Sequence, residues 1–257
     1  MKTDEFRELF LKHMDVFKKT LADDDGQWTI KGFIDIYKNI YTISGDTKIV
    51  SKVIELVLFP VIAKFAAEHK FQMVLSEHQN HYPDITFVAE DGSKFAVDIK
   101  STYRETPAKC NGFTLGCFTG YFRERTSKKN ITFPYSSYEG HFVLGVIYSR
   151  AEEAADERER YPLDKLLEIT SVAHNFEFLF QEKWRIASTR PGSGNTKNIG
   201  SVDSIDALIN GKGPFAELGV GTFDDFWMNY LTNDMARQID SPVPFKNLAE
   251  YKEWKKK

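Results

Sequence analysis

The chain has 257 residues with a formal net charge of −3, and 42% of its residues are hydrophobic and 28% charged. These values describe an ordinary soluble globular protein. No apolar run approaches the length of a membrane span, and the charged, Phe-rich N-terminus is not a signal peptide. Cys110 and Cys117 match neither zinc-site nor disulfide spacing, so we expect a reducing, cytoplasmic location. Since no linker, repeat or composition break is found, one domain over residues 1–257 is the economical interpretation.

The charges are unevenly distributed along the chain. Residues 94–130 carry eight basic and three acidic side chains, a local charge of +5, whereas residues 151–168 carry seven acids. A solvated face and an acidic loop are one interpretation. The other is a basic cleft that faces a polyanion, with the acids on the far side of the molecule.

The N-terminal part of the chain predicts two helices and a strand between them. Near-helical spacing of apolar residues predicts an amphipathic helix over residues 4–21, and residues 33–43 are strand-like and able to pair with their counterpart in a dimer. A second helix is predicted over residues 49–69, kinked or restarted at Pro60. On that helix Glu55 is either an exposed polar residue or a third carboxylate directed at the site described below.

The C-terminal half predicts further elements with less detail. In chain order they are a central strand over 141–148, a short helix near 163–169, a long strand or strand pair over 174–188 with Trp184 in the core, a loop over 189–201, a helix over 223–236, and a frayed end at 255–257.

A hairpin over residues 78–103 holds the chemically informative residues. Asp91-Gly92 marks its turn. If the loop holds one residue more than these two, with Gly92 in the left-handed backbone conformation, Asp84 lies opposite Asp98. In that register the polar side chains share one face with Lys100, whereas a one-residue slip mixes polar and apolar residues on both faces. The residues predicted on the apolar face are Ile85, Phe87, Phe95, Val97 and Ile99.

The polar face of the hairpin suits a divalent metal. The carboxylates of Asp84 and Asp98 and a main-chain carbonyl such as that of Ile99 are oxygen ligands of the kind Mg²⁺ prefers. A metal held there polarises a phosphate oxygen and lowers the pKa of a water, and Lys100 supplies a cation for the negative charge that gathers on a phosphate. This P-D…D-x-K pattern is typical of metal-dependent nucleases, although an exposed Asp-x-Lys is more often a solvated strand edge.

A glycine-rich stretch over residues 192–198 is the second informative segment. It lacks the glycine directly before a Lys-Ser/Thr pair that a phosphate-binding P-loop needs. A flexible surface turn and a DNA-reading loop remain as interpretations. In the second, asparagine pairs with adenine in the major groove, Thr196 offers its methyl to thymine, and Lys197 contacts a phosphate.

Taken together, these segments resemble the EcoRV family of type II restriction endonucleases, within the PD-(D/E)xK nucleases. The resemblance covers roughly residues 40–240 in the family's order. The matching segments are GDTK (45–48), IEL (54–56), QNHYPD (79–84), DIKSTY (98–103), FTLG (113–116), SKKNI (127–131), KWRIA (183–187) and GSGNTKNIGS (192–201).

The resemblance implies an α/β fold with a restriction-endonuclease-like mixed β-sheet flanked by helices, acting as a homodimer. Dimerisation elements would lie in about 1–45, the catalytic core in about 46–150 and the DNA-reading part in about 151–257. It implies Asp84, Asp98 and Lys100 as catalytic residues, with Glu55 as an auxiliary metal-site carboxylate and Ile99 as a carbonyl ligand. The implied DNA-binding residues are Thr47, Lys48, Gln79, Asn80, Ser101, Thr102, Tyr103, Thr119, Lys129, Arg150, Gly192, Ser193, Gly194, Asn195, Thr196, Lys197, Asn198 and Arg237.

We therefore expect a Mg²⁺-dependent enzyme, with Mn²⁺ able to substitute, that cuts both strands of double-stranded DNA at the palindrome GATATC and leaves blunt ends. A cognate DNA methyltransferase is the expected functional partner. The alternatives are a structure-directed repair nuclease of the same fold and a cleavage-dead DNA-binding protein. Four positions depart from the family pattern and bear on sequence preference: His78, Ser101, Gly120 and Lys197.

Overall fold

The computed structural model describes residues 1–78, 81–192 and 197–257. The α-helices of these residues are α1 Thr3–Leu11, α2 Met14–Leu21, α3 Thr47–Glu68, α4 Lys183–Ile186, α5 Ile205–Asn210, α6 Gly219–Asn229, α7 Asn233–Gln238 and α8 Leu248–Trp254. The strands are β1 Gly32–Ile34, β2 Asn39–Thr42, β3 Gln72–Leu75, β4 Ile85–Val88, β5 Lys94–Thr106, β6 Lys109–Cys110, β7 Thr114–Cys117, β8 Gly140–Arg150, β9 Arg160–Pro162, β10 Ala173–Glu182, β11 Ala187–Pro191 and β12 Asn198–Ser201. None of the helices in these ranges is long and apolar enough to cross a membrane.

A mixed sheet forms the centre of the fold, with the strand order β10-β8-β5-β4-β3. Strands β5 and β8 are parallel, and the other neighbours along this order are antiparallel. The predicted central strand is confirmed, because β8 lies between β5 and β10 and is buried along most of its length. Such a doubly covered strand needs apolar residues on both faces, which explains its unbroken apolar run.

The two faces of the sheet carry separate hydrophobic clusters. On one face α1, α2 and α3 pack through aromatic side chains, with Phe6 stacked on Phe95 at 4.3 Å and Phe10 on Phe180 at 3.9 Å between ring centroids. The other face packs against β7, β12 and α6. Because successive residues of a strand point to opposite faces, β5 directs Val97 to the first cluster and its polar residues to the other face of the sheet.

The hairpin register is confirmed. Ile85 pairs with Val97 and Phe87 with Phe95, so that the continuation of the ladder sets Asp84 against Asp98. Gly92 has a φ of +84° in the three-residue loop. The bulged loop therefore forms as the alternation of polar and apolar residues predicts.

Two N-terminal predictions are wrong in detail. The first helix is interrupted between α1 and α2, where the His13 N–H bonds to the carbonyl of Phe10 instead of continuing the α-helical ladder. The break allows both short helices to bury phenylalanines in one cluster. Residues 33–43 form the β1–β2 hairpin instead of one strand, because Asp35 accepts hydrogen bonds from the N–H groups of Tyr37 and Asn39 and closes a turn.

The remaining elements follow the predictions in part. Helix α3 continues through Pro60 without a restart and is capped by Asp46. The predicted loop over 189–201 includes part of strand β11 and all of β12; β11 pairs with β12, and β12 pairs with β7. The predicted helix over 223–236 is divided into α6 and α7, and a 3₁₀ helix occupies 163–168. Helix α8 packs its Tyr251 on Phe245 and ends at Trp254, so the predicted frayed end at 255–257 follows the last helix, where Lys255 is paired with Asp225.

Candidate active site

The two hairpin carboxylates are joined by main-chain hydrogen bonds. The N–H of Asp84 donates to Oδ1 of Asp98 at 3.2 Å, and the N–H of Ile99 donates to Oδ2 of Asp84 at 2.8 Å. Asp98 is 5% exposed, whereas Asp84 is half-buried at the cavity edge. The strand register thus brings both carboxylates to one place and limits their rotation.

Lys100 completes this cluster on the same face of β5. Its Nζ lies 3.4 Å from Oδ2 of Asp84, 3.3 Å from Oδ2 of Asp98 and 3.4 Å from the carbonyl oxygen of Ile99. Burial lowers the pKa of Lys100, but the charges of Asp98 and Asp84 outweigh burial and raise it overall. The ammonium group is therefore positively charged at every physiological pH.

The carboxylates carry more negative charge than this lysine balances. Burial and the charge of Asp98 raise the pKa of Asp84 to about 6, against the lowering effect of Lys100 and the N–H of Ile99. A divalent cation relieves this repulsion, and two carboxylates with a neighbouring carbonyl are the hard oxygen donors that Mg²⁺ takes alongside its own waters. Within the described part of the chain no three His, Cys, Asp or Glu side chains group into a metal site.

A cavity of about 630 Å³ opens in front of these residues. Besides Asp84, Asp98 and Lys100, its wall includes three residues predicted to contact DNA, namely Thr119, Lys129 and Asn198. Asn198 begins β12 and pairs with Cys117 of β7, which brings the end of the 192–198 segment to this cavity. Ser193, Gly194, Asn195 and Thr196 lie outside the described residues, as do Gln79 and Asn80.

Glu55 lines a neighbouring cavity of about 640 Å³, together with Lys48 and the opposite side of Asp84. Its carboxylate is bound to Lys52 at 2.6 Å on the same helix. Glu55 and Asp84 therefore line the same cavity, and the charge of Glu55 contributes to raising the pKa of Asp84. Thr47, which starts α3, is half-buried.

The other predicted DNA contacts are placed differently. Ser101 donates to Ser51 of α3 at 2.6 Å, and Thr102 is buried.

The guanidinium of Arg150 lies 3.5 Å from the centre of the Tyr103 ring and lines a third cavity beside the acidic stretch. Arg237 is ion-paired with its helix neighbour Asp234. Gly192 donates its N–H to the carbonyl of Asn198, and the carbonyl of exposed Lys197 accepts from the N–H of Phe118.

The basic segment 94–130 does not form one charged face. Several of its cations are bound elsewhere: Arg104 to Glu177, Lys109 to Asp203 at 3.0 Å, and Arg125 to Asp224 at 2.8 Å. Lys100 and Lys129 are members of the segment that line the cavity in front of the carboxylates. Of the two interpretations of this segment, the basic cleft therefore does not apply to the residues that are paired with acids elsewhere in the fold.

The structure adds a buried polar cluster that pattern reasoning missed. Tyr82 donates to or accepts from Nδ1 of His141 at 2.8 Å, Tyr135 stacks on His141 at 3.8 Å, and Tyr121 stacks on Tyr82 at 5.3 Å. The ammonium of Lys183 lies among these rings. These residues come from segments far apart in the chain, and a lysine at the start of a four-residue helix gives no local signal of burial.

Comparisons of the sequence with known proteins identify its family. The family model for restriction endonuclease EcoRV matches residues 24–256. The type II restriction enzyme EcoRV of Escherichia coli is 34% identical over 237 residues, which cover 91% of this chain and 94% of that protein. A solved structure, the NlaIV restriction endonuclease, aligns over 99% of this chain and 96% of its own with a TM-score of 0.39 and 12% identity.

The family model and the Escherichia coli relative show that the chain belongs to the EcoRV family of restriction endonucleases. Its activity is that of a type II site-specific deoxyribonuclease, and its substrate is DNA.

Proposed function

We propose that the enzyme hydrolyses both strands of double-stranded DNA at the cavity bounded by Asp84, Asp98 and Lys100. The observation that carries this proposal is the convergence of the three side chains, within 3.4 Å of one another through Lys100, on a cavity that Asn198 also lines. An exposed Asp-x-Lys on a solvated strand edge would not be buried or joined to a second carboxylate.

Asp84 and Asp98, with the carbonyl of Ile99, are proposed to hold Mg²⁺, with Mn²⁺ able to substitute. When bound, the ion supplies a polarised phosphate oxygen and a water of lowered pKa. Lys100 supplies a positive charge from the protein itself, already desolvated and positioned by two carboxylates, to the negative charge that develops on the phosphate. Glu55 is proposed as an auxiliary carboxylate, supported by its place across the cleft from Asp84.

Residues 192–198 are proposed to read bases in the major groove. Asn198 lines the same cavity as the two carboxylates, which supports this proposal. The site GATATC and a central cut with blunt ends are proposed on the similarity of residues 192–201 to the family's motif. Thr119 and Lys129 are proposed phosphate contacts because they line the same wall.

A homodimer is proposed because a palindrome presents the same sequence twice about a two-fold axis. An exposed apolar surface on the β1–β2 hairpin supports it, with Ile36 88% and Tyr37 78% exposed next to Phe33 and Ile34. Apolar surface of this kind marks an interaction site. We propose action in the cytoplasm as a single-domain subunit beside a cognate methyltransferase, consistent with two unpaired cysteines.

Digestion of phage DNA of known sequence tests the proposal. Purified protein is incubated with the DNA and Mg²⁺, and the ends of the products are sequenced, with EDTA as the control. The expected result is a set of blunt ends that all fall at the centre of GATATC. Blunt ends at another palindrome would overturn the proposed recognition sequence but not the proposed reaction. Ends without a common sequence, or no cleavage, would overturn both.

A further inference from the structure

Lys183 is a buried cation whose charge the fold does not neutralise. It starts α4, is 2% exposed, and its Nζ has no hydrogen-bond acceptor among the residues that the structure describes. The ammonium instead lies over aromatic rings, 5.1 Å from the centre of Tyr82, 5.7 Å from Phe122 and 5.8 Å from Tyr135. Such cation–π contacts compensate only part of the lost hydration.

The position of this ammonium relates it to the cleavage cavity. A Cβ atom placed on Gly116 would lie 3.4 Å from Nζ of Lys183 and 3.2 Å from the hydroxyl of Tyr121. Gly116, Tyr82 and Tyr121 are themselves part of the cavity wall that includes Asp98. The charge of Lys183 therefore lies directly behind the wall, separated from the cavity by a glycine and two aromatic rings.

The electrostatic surroundings connect Lys183 with Asp98. Burial lowers the pKa of Lys183 to about 8, and the negative charges of Asp98 and Asp224 act in the opposite direction, while Lys100 on the far side of Asp98 adds to the lowering. An apolar side chain of the same length would fill this space without the cost of burying a charge. Packing alone therefore gives no reason for a lysine at this position.

We propose that Lys183 is a positioning residue of the cleavage site. Its positive charge acts through the wall at Gly116 and holds the Asp98 carboxylate in place when Lys100 turns from the carboxylates to the scissile phosphate. This inference rests on the proposed role of Asp98 and Lys100. The same charge repels a divalent cation at the site, so cleavage and cation binding depend on Lys183 in opposite directions.

The test compares wild-type protein with Lys183→Met, which keeps the length of the side chain and removes its charge. We expect the rate constant for cleavage at saturating DNA to fall about tenfold. This is less than the loss expected for a group that contacts the phosphate directly, because Lys183 does not touch it. We expect Mg²⁺, titrated into the DNA-free protein by calorimetry, to bind about threefold more tightly because a nearby like charge is gone. The dissociation constant for DNA in EDTA should be unchanged, and the unfolding temperature equal or higher.

Lys212→Met, at an exposed position remote from the cavity, is the control and should change none of these values. Slower cleavage together with weaker Mg²⁺ binding and a lower unfolding temperature would mean that Lys183 has a merely structural role. An unchanged cleavage rate would mean that Lys183 has no role in cleavage. Either result overturns the proposal. If Lys183→Met does not fold, Lys183→Leu and Lys183→Gln remove the charge with other volumes, and failure of all three to fold overturns it as well. Absence of cleavage by the wild type would instead refute the proposed function.

Discussion

The main-chain N–H of Ile99 donates a 2.8 Å hydrogen bond to the carboxylate of Asp84 on the neighbouring segment of the hairpin. The strand register therefore determines the carboxylate cluster, because a slip by one residue would remove this bond and place Asp84 and Asp98 on opposite faces. Changes at the hairpin turn should reach the cavity through the backbone.

Gly92→Ala should destabilise the protein, because the φ of +84° is strained for any residue with a Cβ. We expect a loss of about 1 kcal/mol, or about 2–4 °C in unfolding temperature measured by calorimetry. Gly45→Ala is the matched control, since both glycines have open space around the added methyl and Gly45 lacks the positive φ. Equal unfolding temperatures for the two variants would contradict this explanation of the turn.

Cleavage should depend on pH through Asp84. Burial and the neighbouring Asp98 raise its pKa to about 6, so the ionised form that the reaction needs is lost as the pH falls below that value. The single-turnover rate at saturating Mg²⁺ should rise with pH in the acidic range and then level, with the midpoint moved below 6 because the cation favours the ionised form. A midpoint above 7 would contradict this assignment.

The same raised pKa should appear in stability without metal. In the native state Asp84 keeps its proton up to about pH 6, whereas in the unfolded chain it loses the proton near 3.8, so stability falls as pH rises between these values. In EDTA, Asp84→Asn should therefore unfold at a similar temperature to wild type at pH 4 and at a higher temperature at pH 7.5. A variant less stable than wild type at pH 7.5 would show that ionised Asp84 stabilises the fold.

Glu55→Gln should slow cleavage by no more than about tenfold, because this carboxylate is bound to Lys52 and stands across a cleft from the hairpin pair. Steady-state cleavage over a range of Mg²⁺ concentrations measures the effect, with Glu68→Gln at the exposed end of the same helix as the control. A loss as large as that caused by Asp98→Asn would mean that Glu55 enters the metal site when DNA binds.

The exposed apolar surface of the β1–β2 hairpin should hold the dimer together. Replacing Ile36 and Tyr37 with serine removes apolar area that the monomer leaves open to solvent and should weaken the dimer by about tenfold or more. Analytical ultracentrifugation measures the dissociation constant. Leu167→Ser, an equally exposed leucine on the 3₁₀ helix, is the comparison, and unchanged dimerisation in the hairpin variant would place the interface elsewhere.

The parts of the fold that were predictable from sequence are those governed by local rules. Alternation along residues 84–100 determines the hairpin register, and the unbroken apolar run of β8 determines its central place in the sheet. The turn at Asp35 was missed, although an aspartate ahead of two accessible N–H groups is its local signal. The pairing of β12 with β7 was missed because its partners are about 80 residues apart and no local pattern encodes their meeting.

The candidate site likewise has residues that local rules predict and residues that depend on distant partners. Asp84, Asp98 and Lys100 were found because period-two spacing places them on one face. Lys183 and the rings around it were not found, since burial of a lysine depends on Tyr82, Gly116 and Tyr135 arriving from three other segments. The pairing of basic residues of 94–130 with distant acids was not predicted, because it cannot be read from a local count of charge.

Cleavage by Asp98→Asn tests most directly whether the hairpin carboxylates form the cleavage site. Asparagine retains an oxygen that can accept the N–H of Asp84, so the hairpin should keep its register while one metal-binding charge is lost. In single-turnover assays with saturating protein and Mg²⁺, we predict a rate at least about 10³-fold below wild type, with unchanged DNA affinity in EDTA and full activity of Glu90→Gln, an exposed carboxylate at the tip of the same hairpin. A folded Asp98→Asn protein that cleaves DNA within tenfold of the wild-type rate would contradict the assignment of this hairpin as the active site.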